Sequence, residues 1–272
     1  MMTSHADFNY VPRCLGKKAP RFDKRTLKLE HYLQSTKLPP TPASLSWSGA
    51  FTNWGMMKND SVGDCTCAGA GHAIQIWTYN ANYGQAVTIP DAEVLKAYTA
   101  ITAEENNGQG YNPQTGANDN GCVEIDVLNY WRQTGIGGHK IDAYAFVNPF
   151  HPQMIREAIM LFGGVYIGLS LPITAQDQID QGVPWSVPRT GPTGNAAPGS
   201  WGGHCVFIDS YDPKYLTCVT WGALQKMTWN FWYCYCDEAY AIISKDFIEQ
   251  SGKSPSGFDM AALTADLTAV TK

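Results

Sequence analysis

The chain has 272 residues, of which 44% are hydrophobic and 16% are charged. It is therefore long and apolar enough to bury a sizeable core, and its composition is not that of a disordered protein. The formal charge is −5, and no run of Lys and Arg carries interleaved aromatic residues, so we expect no nucleic-acid partner.

The N-terminus lacks the apolar stretch of a secretion signal, and no window approaches the roughly 20 apolar residues that span a bilayer. We therefore expect no membrane partner and a cytoplasmic or virion-associated protein. The eight cysteines are interpreted as reduced thiols for the same reason, although their even number leaves one or two disulfides open.

Three regions are predicted along the chain. Residues 1–38 are mixed, polar and basic, and they indicate an extended N-terminal arm that either covers a cleft, as a propeptide would, or braces the back of the fold. The proline-rich stretch 38–42 is a stiff connector to the main domain, predicted at 39–250. This domain would have a helical half at about 55–150 and a β half at about 151–250, and a C-terminal tail would follow at 251–272.

Helices are predicted early in the chain and strands late. The first helix begins at Cys65, and its small residues suit a buried central helix, although each Gly costs about 1 kcal/mol relative to Ala. Three further helices are expected at 90–98, 123–133 and 152–162, and strands at 165–171, 205–211, 216–221 and 238–244. A Gly- and Pro-rich loop occupies 191–203. This order predicts the α+β class.

Cys65 and His204 are the residues whose chemistry suggests a function. A thiol at a helix N-terminus has a lowered pKa, which favours the reactive thiolate. His204 stands where a loop meets an apolar strand, 139 residues after Cys65, and a separation of about 130–150 residues is typical of one class of cysteine–histidine pair. A buried structural cysteine and a structural histidine are the alternatives.

The segments around these two residues resemble the papain-like (C1) cysteine peptidase superfamily, from about residue 38 to residue 248. The stretch KNDSVGDC ending at Cys65 resembles the nucleophile segment, and GHCVFIDSY at 203–211 resembles the histidine strand. Further similar segments occur in the same order, at 38–47, 121–136, 157–171 and 219–222. GDC followed by His72, and the ending from TWG to CDEAYA, are also similar to uncharacterised bacterial and phage papain-fold proteins.

The resemblance implies a fold in which a cysteine-bearing central helix packs against an antiparallel β-sheet or barrel. It implies that Cys65 attacks a carbonyl carbon as thiolate and that His204 protonates the leaving amine. Asn59, six residues before Cys65, occupies the position of the oxyanion-hole glutamine. The implied partner is an extended peptide or protein substrate.

Three positions depart from the family pattern. Val219 stands two residues before Trp221, where the family has the asparagine that orients the histidine, and Val219 cannot form a side-chain hydrogen bond. We therefore expect a poorly oriented imidazole, with the neighbouring Thr220 and Trp221 as secondary site candidates. Thr66 replaces the family's aromatic residue, and Val62 replaces a disulfide cysteine.

No cofactor and no metal are expected. The pairs Cys65/Cys67 and Cys234/Cys236, with His72, suggest zinc, but structural zinc uses ligands two to four residues apart. His72 lies seven residues after Cys65 on the same helical face, so it is either a core residue or a neighbour of the nucleophile.

Three functions remain open at this point. The first is a papain-like thiol peptidase that uses a Cys65–His204 dyad to cleave a peptide or isopeptide bond. The second is a catalytically idle papain-fold module that binds an assembly partner, for example in a virion. The third is a Cys–His amidase or acyl transferase.

Overall fold

The computed structural model describes residues 12–33, 38–82 and 84–247. The predicted C-terminal tail at 251–272 lies outside these residues. The α-helices within the described residues are α1 (Cys65–Ala81), α2 (Asp91–Glu105), α3 (Glu124–Gln133), α4 (Pro152–Phe162), α5 (Ile173–Asp180) and α6 (Trp229–Tyr235).

The strands form one sheet that is mostly antiparallel. They are β1 (Leu27–Lys28), β2 (Leu45–Ser46), β3 (Ile141–Phe146), β4 (Val165–Leu171), β5 (Gly202–Tyr211), β6 (Tyr215–Thr220), β7 (Ala223–Thr228) and β8 (Cys236–Ser244). Their order across the sheet is β1-β3-β8-β4-β5-β6-β7, and β2 pairs with the last two residues of β5, beyond the end of β4. Only the short β1–β3 pairing is parallel among the described strands. The predicted α+β class is confirmed.

Helix α1 is the central helix that the small residues predicted. Its first fourteen residues are all buried, and the glycines allow close packing. A Cβ atom at Gly69 would lie 3.3 Å from Cys205 Sγ on β5, and one at Gly71 would lie 2.3 Å from Met57 Sδ. The conformational cost of glycine in a helix is therefore offset by the close approach of β5 and of the loop before α1. This contact joins the helical half to the sheet.

The predicted helices and strands are present, with bounds that match at 152–162 and 165–171. Six elements were not predicted: the two-residue strands β1 and β2, and also β3, α5, β7 and α6. Helix α5 and helix α6 have only eight and seven residues, too few for a clear apolar period. Strand β7 is joined to β6 by a turn of only two residues, Trp221 and Gly222, and the prediction had placed Trp221 in the preceding strand.

Helix α6 and the end of β7 carry a stripe of large side chains, Met227, Trp229, Phe231 and Trp232. Met227, Phe231 and Trp232 are fully buried, so this stripe forms part of the core. None of the helices in the described part of the chain combines the length and the apolar character needed to cross a membrane. All eight cysteines lie within the described residues, and none of them forms a disulfide.

Candidate active site

Cys65 is the first residue of α1, and its side chain is buried. The backbone amides of Cys205, on β5, and of Gly16, in the N-terminal arm, face its sulfur. Burial raises the pKa of the Cys65 thiol to about 12, and the Asp64 carboxylate next to it acts in the same direction. The expectation that the helix N-terminus favours the thiolate is therefore wrong for this state of the protein, because desolvation outweighs the amides that face the sulfur.

His204 lies on β5, and its ring is held on two sides. The ring stacks on the Trp221 indole, with 4.1 Å between centroids and 10° between planes, and its Nε2 is 2.7 Å from Thr220 Oγ1. Within the described residues, Nδ1 has no hydrogen-bond partner, so it is not hydrogen-bonded to the Cys65 thiol. Burial lowers the pKa of His204 to about 3, with a smaller effect from His72. The imidazole is therefore neutral near pH 7.

The expectation of a poorly oriented imidazole is wrong. Val219 is buried and contributes no hydrogen bond, but side chains alternate along β6, so the next residue, Thr220, faces the histidine instead. The β6–β7 turn consists of Trp221 and Gly222, both with positive φ (43° and 73°), as in a two-residue hairpin turn. This turn brings the Trp221 ring over His204.

Asn59 lies in the tight turn that precedes α1, and it is buried. Its Nδ2 donates to Cys14 O at 3.2 Å and to Val62 O at 3.1 Å, and its backbone carbonyl accepts from the Cys14 backbone amide at 2.9 Å. The predicted oxyanion donor therefore already donates to a backbone carbonyl of the chain segment in front of α1.

His72 is a core residue in this structure. Its Nδ1 is 2.9 Å from Gln75 Oε1, and Gln75 donates in turn to Trp54 O at 3.0 Å. Burial lowers the pKa of His72 to about 4, so it is neutral near pH 7. These contacts fit the interpretation of His72 as a core residue. In the part of the chain that the structure describes, no group of three or more His, Cys, Asp or Glu side chains is arranged to hold a metal ion.

The arm segment, residues 13–18, crosses in front of Cys65 between α1 and β5. Lys17 N donates to Gly203 O at 3.1 Å, Cys122 N donates to Gly16 O at 2.8 Å, and Lys18 N donates to Cys122 O at 2.9 Å. A Cβ at Gly16 would lie 1.7 Å from Gly63 O, so only glycine fits where the arm passes the start of α1. Sequence analysis predicted the arm but not these contacts.

Trp221 contacts the arm segment as well as His204. Its Nε1 donates to Cys14 O at 3.2 Å, and the Arg13 guanidinium lies 5.8 Å from its ring centroid, within the range of a cation–π contact. The Cys14 carbonyl thus accepts hydrogen bonds from both Asn59 and Trp221. Asn59, Trp221, His204 and Thr220 are thus linked by contacts to one another or to the arm segment, and Cys65 meets the same segment at Gly16.

No protein-family model matches this chain, and no curated protein matches it in sequence. Its fold matches several solved structures. Xylellain, a cysteine protease from Xylella fastidiosa, superposes with a TM-score of 0.63 at 14% identity, over 87% of this chain and 98% of that chain. Digestive procathepsin L 3 from the larval midgut of Tenebrio molitor gives a TM-score of 0.55 at 12% identity, over 87% and 77%. A procathepsin B from Trypanosoma congolense gives 0.54 at 11%, over 88% and 89%.

Proposed function

The chain has the papain-like fold, and on that premise we propose that it is a thiol peptidase that cleaves a peptide or isopeptide bond through Cys65 and His204. One observation carries the proposal: the His204 ring is fixed by Thr220 and Trp221, while its Nδ1 is left without a partner in the described residues. A general base needs a fixed imidazole with a free ring nitrogen, and the proposal pairs this imidazole with Cys65, the first residue of α1.

The proposed reaction begins when His204 Nδ1 takes the proton of the Cys65 thiol and the thiolate attacks the substrate carbonyl carbon. The C–O double bond becomes a single bond, and the negative charge moves to the oxygen. The protonated imidazole then gives its proton to the leaving nitrogen, the C–N bond breaks, and an acyl-enzyme remains. A water molecule, deprotonated by the same imidazole, releases the acid and restores the thiol.

Two donors are available for the oxyanion in this proposal. Helix α1 begins at Cys65, whose amide has no acceptor within the helix, and the Asn59 carboxamide donates to a carbonyl in the same cleft. Thr220 would act through His204 as a positioning residue, because its contact with Nε2 selects the tautomer and the ring orientation.

The N-terminal arm is proposed to cover the cleft and to leave it before a substrate binds. The Gly16 backbone lies next to the Cys65 sulfur, so the arm covers the thiol. With the arm in place, the thiol and the imidazole are both buried and neutral. This neutral pair is also the observation that favours the second candidate, an idle papain-fold module.

Labelling with a papain-class epoxide inhibitor tests the proposal. We expect stoichiometric modification at Cys65, found by peptide mass spectrometry, and no modification of Cys65 in His204→Ala. Cys234→Ala is the matched control, because Cys234 is a partly buried thiol remote from the proposed chemistry. If Cys65 is labelled no faster than Cys122 even after the arm segment is loosened by Lys17→Met, the idle module is the correct interpretation.

Release of new peptide ends, as opposed to incorporation of an added amine, separates a peptidase from an acyl transferase.

A further inference from the structure

Lys17 of the arm segment reaches into a pocket lined by acidic residues. Its Nζ lies 2.9 Å from Asp237 Oδ1 and 3.0 Å from Glu238 Oε1, both on β8, and its side chain is only 1% exposed. Glu124, the first residue of α3, adds a third carboxylate. We call the site formed by Glu124, Asp237, Glu238 and Gly168 the acidic pocket.

The charges of the acidic pocket are not balanced by the chain itself. Glu124 is fully buried, no ammonium or guanidinium group within the described residues is hydrogen-bonded to its carboxylate, and the Cys205 thiol lies beside it. Lys17 Nζ donates to Asp237 Oδ2 and to Lys18 O, both at 3.1 Å, and no hydrogen bond joins it to Glu124. Three carboxylates thus face one ammonium group, and burying such acids without a cation is costly.

The pKa values agree with a site that attracts cations. Burial opposes the charge of Lys17, but Glu124, Glu238 and Asp237 together outweigh it and raise the pKa of the ammonium group. Burial raises the pKa of Glu124 and that of Glu238, and the Lys17 charge acts against both shifts. A cation in the pocket therefore opposes the protonation of both acids.

The shape of the pocket fits an unbranched side chain. Gly168 lies in the middle of β4, where a side chain would ordinarily fill the space. A Cβ at this position would lie 2.0 Å from Lys17 Cε, 2.6 Å from Asp237 Oδ1 and 2.9 Å from Glu124 Oε1. The missing side chain thus creates the room that the Lys17 methylene groups occupy.

The pocket adjoins the proposed nucleophile. Gly168 pairs with Cys205 on one side and with Glu238 on the other, and the Cys205 amide faces the Cys65 sulfur. The backbone of residues 16–18 is held by hydrogen bonds to Gly203 and Cys122, which any extended peptide can form. Gly16 is required where the arm passes Gly63, and the Lys17 side chain adds the selection by charge. Lys17 occupies the position that a substrate residue would take.

From this geometry we infer that the acidic pocket binds the cationic side chain of a Lys or Arg residue in the substrate, so that the protein selects peptides with a basic residue next to the cleaved region. The inference rests on the proposed peptidase function, because a peptide substrate is assumed. The affinity of the pocket for a cation does not depend on catalysis. Arm and substrate would then compete for the same pocket.

Chemical complementation of the full chain tests the pocket without catalysis. Lys17→Ala removes the three carbons and the nitrogen that n-propylammonium contains. We expect n-propylammonium to raise the melting temperature of this variant, or to restore its folding, whereas n-propanol of the same shape does not. Glu238→Gln in the same background should remove most of the effect. Equal effects of the ammonium and the alcohol, or no effect of either on the folded variant, would overturn the inference.

Peptide cleavage by the full-length wild-type protein tests the selectivity. In an otherwise constant peptide series with Lys, Arg, norleucine or Glu at each position in turn, we expect Lys and Arg to exceed norleucine at one position by about tenfold or more. Cleavage without this preference means that the peptidase proposal stands and the pocket inference is wrong. If n-propylammonium binds and no peptide is cleaved, the pocket stands and the peptidase proposal fails. If Lys17→Ala folds in no condition, this peptide series alone decides.

Discussion

Two buried sites lie beneath the same arm segment, and burial has opposite consequences in them. At the seam between α1 and β5, Cys65 and His204 have no charged partner, and desolvation keeps both neutral. In the acidic pocket, desolvation acts on Lys17 as well, but three carboxylates outweigh it and the ammonium group stays charged. The partner groups, and not the depth of burial, decide which site carries charge.

This difference gives the arm two separable properties. The ion pairs of Lys17 anchor it, and the passage of Gly16 over Cys65 removes water from the thiol. A change in the acidic pocket should therefore alter the reactivity of Cys65 without touching the nucleophile, while a change at the seam should leave the anchor intact.

The largest expected effect comes from removing the nucleophile at the neutral site. Cys65→Ala should lower peptide cleavage by about 10⁴-fold or more, since no other group can form the acyl-enzyme. Progress curves of peptide hydrolysis by the full chain measure this loss. Cys234→Ala serves as the control and should retain wild-type rates. Residual activity of Cys65→Ala within about tenfold of wild type would show that another residue carries the reaction.

The next largest effect is expected from removing the ion pairs of Lys17. Lys17→Met keeps the length of the side chain but leaves the carboxylates of the acidic pocket without a cation, so the free energy of unfolding should fall by about 3–5 kcal/mol. Lys18→Met is the matched control, because Lys18 pairs with Glu105 at 2.7 Å but is 34% exposed, and it should cost only about 0–1 kcal/mol. Urea denaturation of both variants measures the difference.

Lys17→Met and Lys18→Met also test whether the ion pairs of Lys17 control the reactivity of the Cys65 thiol. Iodoacetamide should label Cys65 faster in Lys17→Met than in wild type, and at the wild-type rate in Lys18→Met. Equal stabilities and equal labelling rates in the two variants would mean that the acidic pocket does not hold the arm in place.

A smaller effect is expected from the partner of His204. Thr220→Val keeps the shape of the side chain and removes the hydrogen bond to Nε2, which should lower kcat/KM by about 10–100-fold. Thr220→Ser restores the hydroxyl and should recover most of the activity. The pH profile distinguishes positioning from folding, because loss of the Nε2 contact shifts the limb that titrates the imidazole. Reduced stability with an unchanged profile would assign Thr220 a structural role only.

Helix α1 and strand β5 could be predicted, because the sequence features that indicate them lie within the elements themselves. Small residues after Cys65 indicated a helix packed closely on both sides, and the apolar run after His204 indicated a buried strand. The hydrogen-bond partner of His204 was misjudged, because the family position two residues before Trp221 is occupied here by Val219. The turn at Trp221 and Gly222, with positive φ at a non-glycine residue, sets which residue of β6 faces the ring, and spacing along the sequence does not reveal that geometry.

The acidic pocket could not be predicted, because its parts are far apart in the sequence. Lys17 meets Asp237 and Glu238 across about 220 residues, and the site also depends on Gly168 in an otherwise ordinary strand. Two adjacent acids at the start of an apolar strand were the one local signal. Such a pair is equally typical of a solvated strand end, so it acquires meaning only when α3 and the arm are known to pack over it.

The smallest expected effect is the change in the rate of Cys65 labelling with each pH unit. It tests directly whether the Cys65 thiol is neutral beneath the arm. The pKa of the thiol is raised to about 12 with the arm in place, so the thiolate is the minor form throughout the neutral range. The labelling rate of wild type should therefore rise about tenfold per pH unit from about pH 6 to about pH 9, without a plateau. Intact-mass measurements of alkylated Cys65 give the rate at each pH. In Lys17→Met, water reaches the sulfur and the imidazole, so the curve should level off at a lower pH. A plateau below about pH 7 in wild type would mean that the thiolate already forms beneath the arm, and that burial does not control this site.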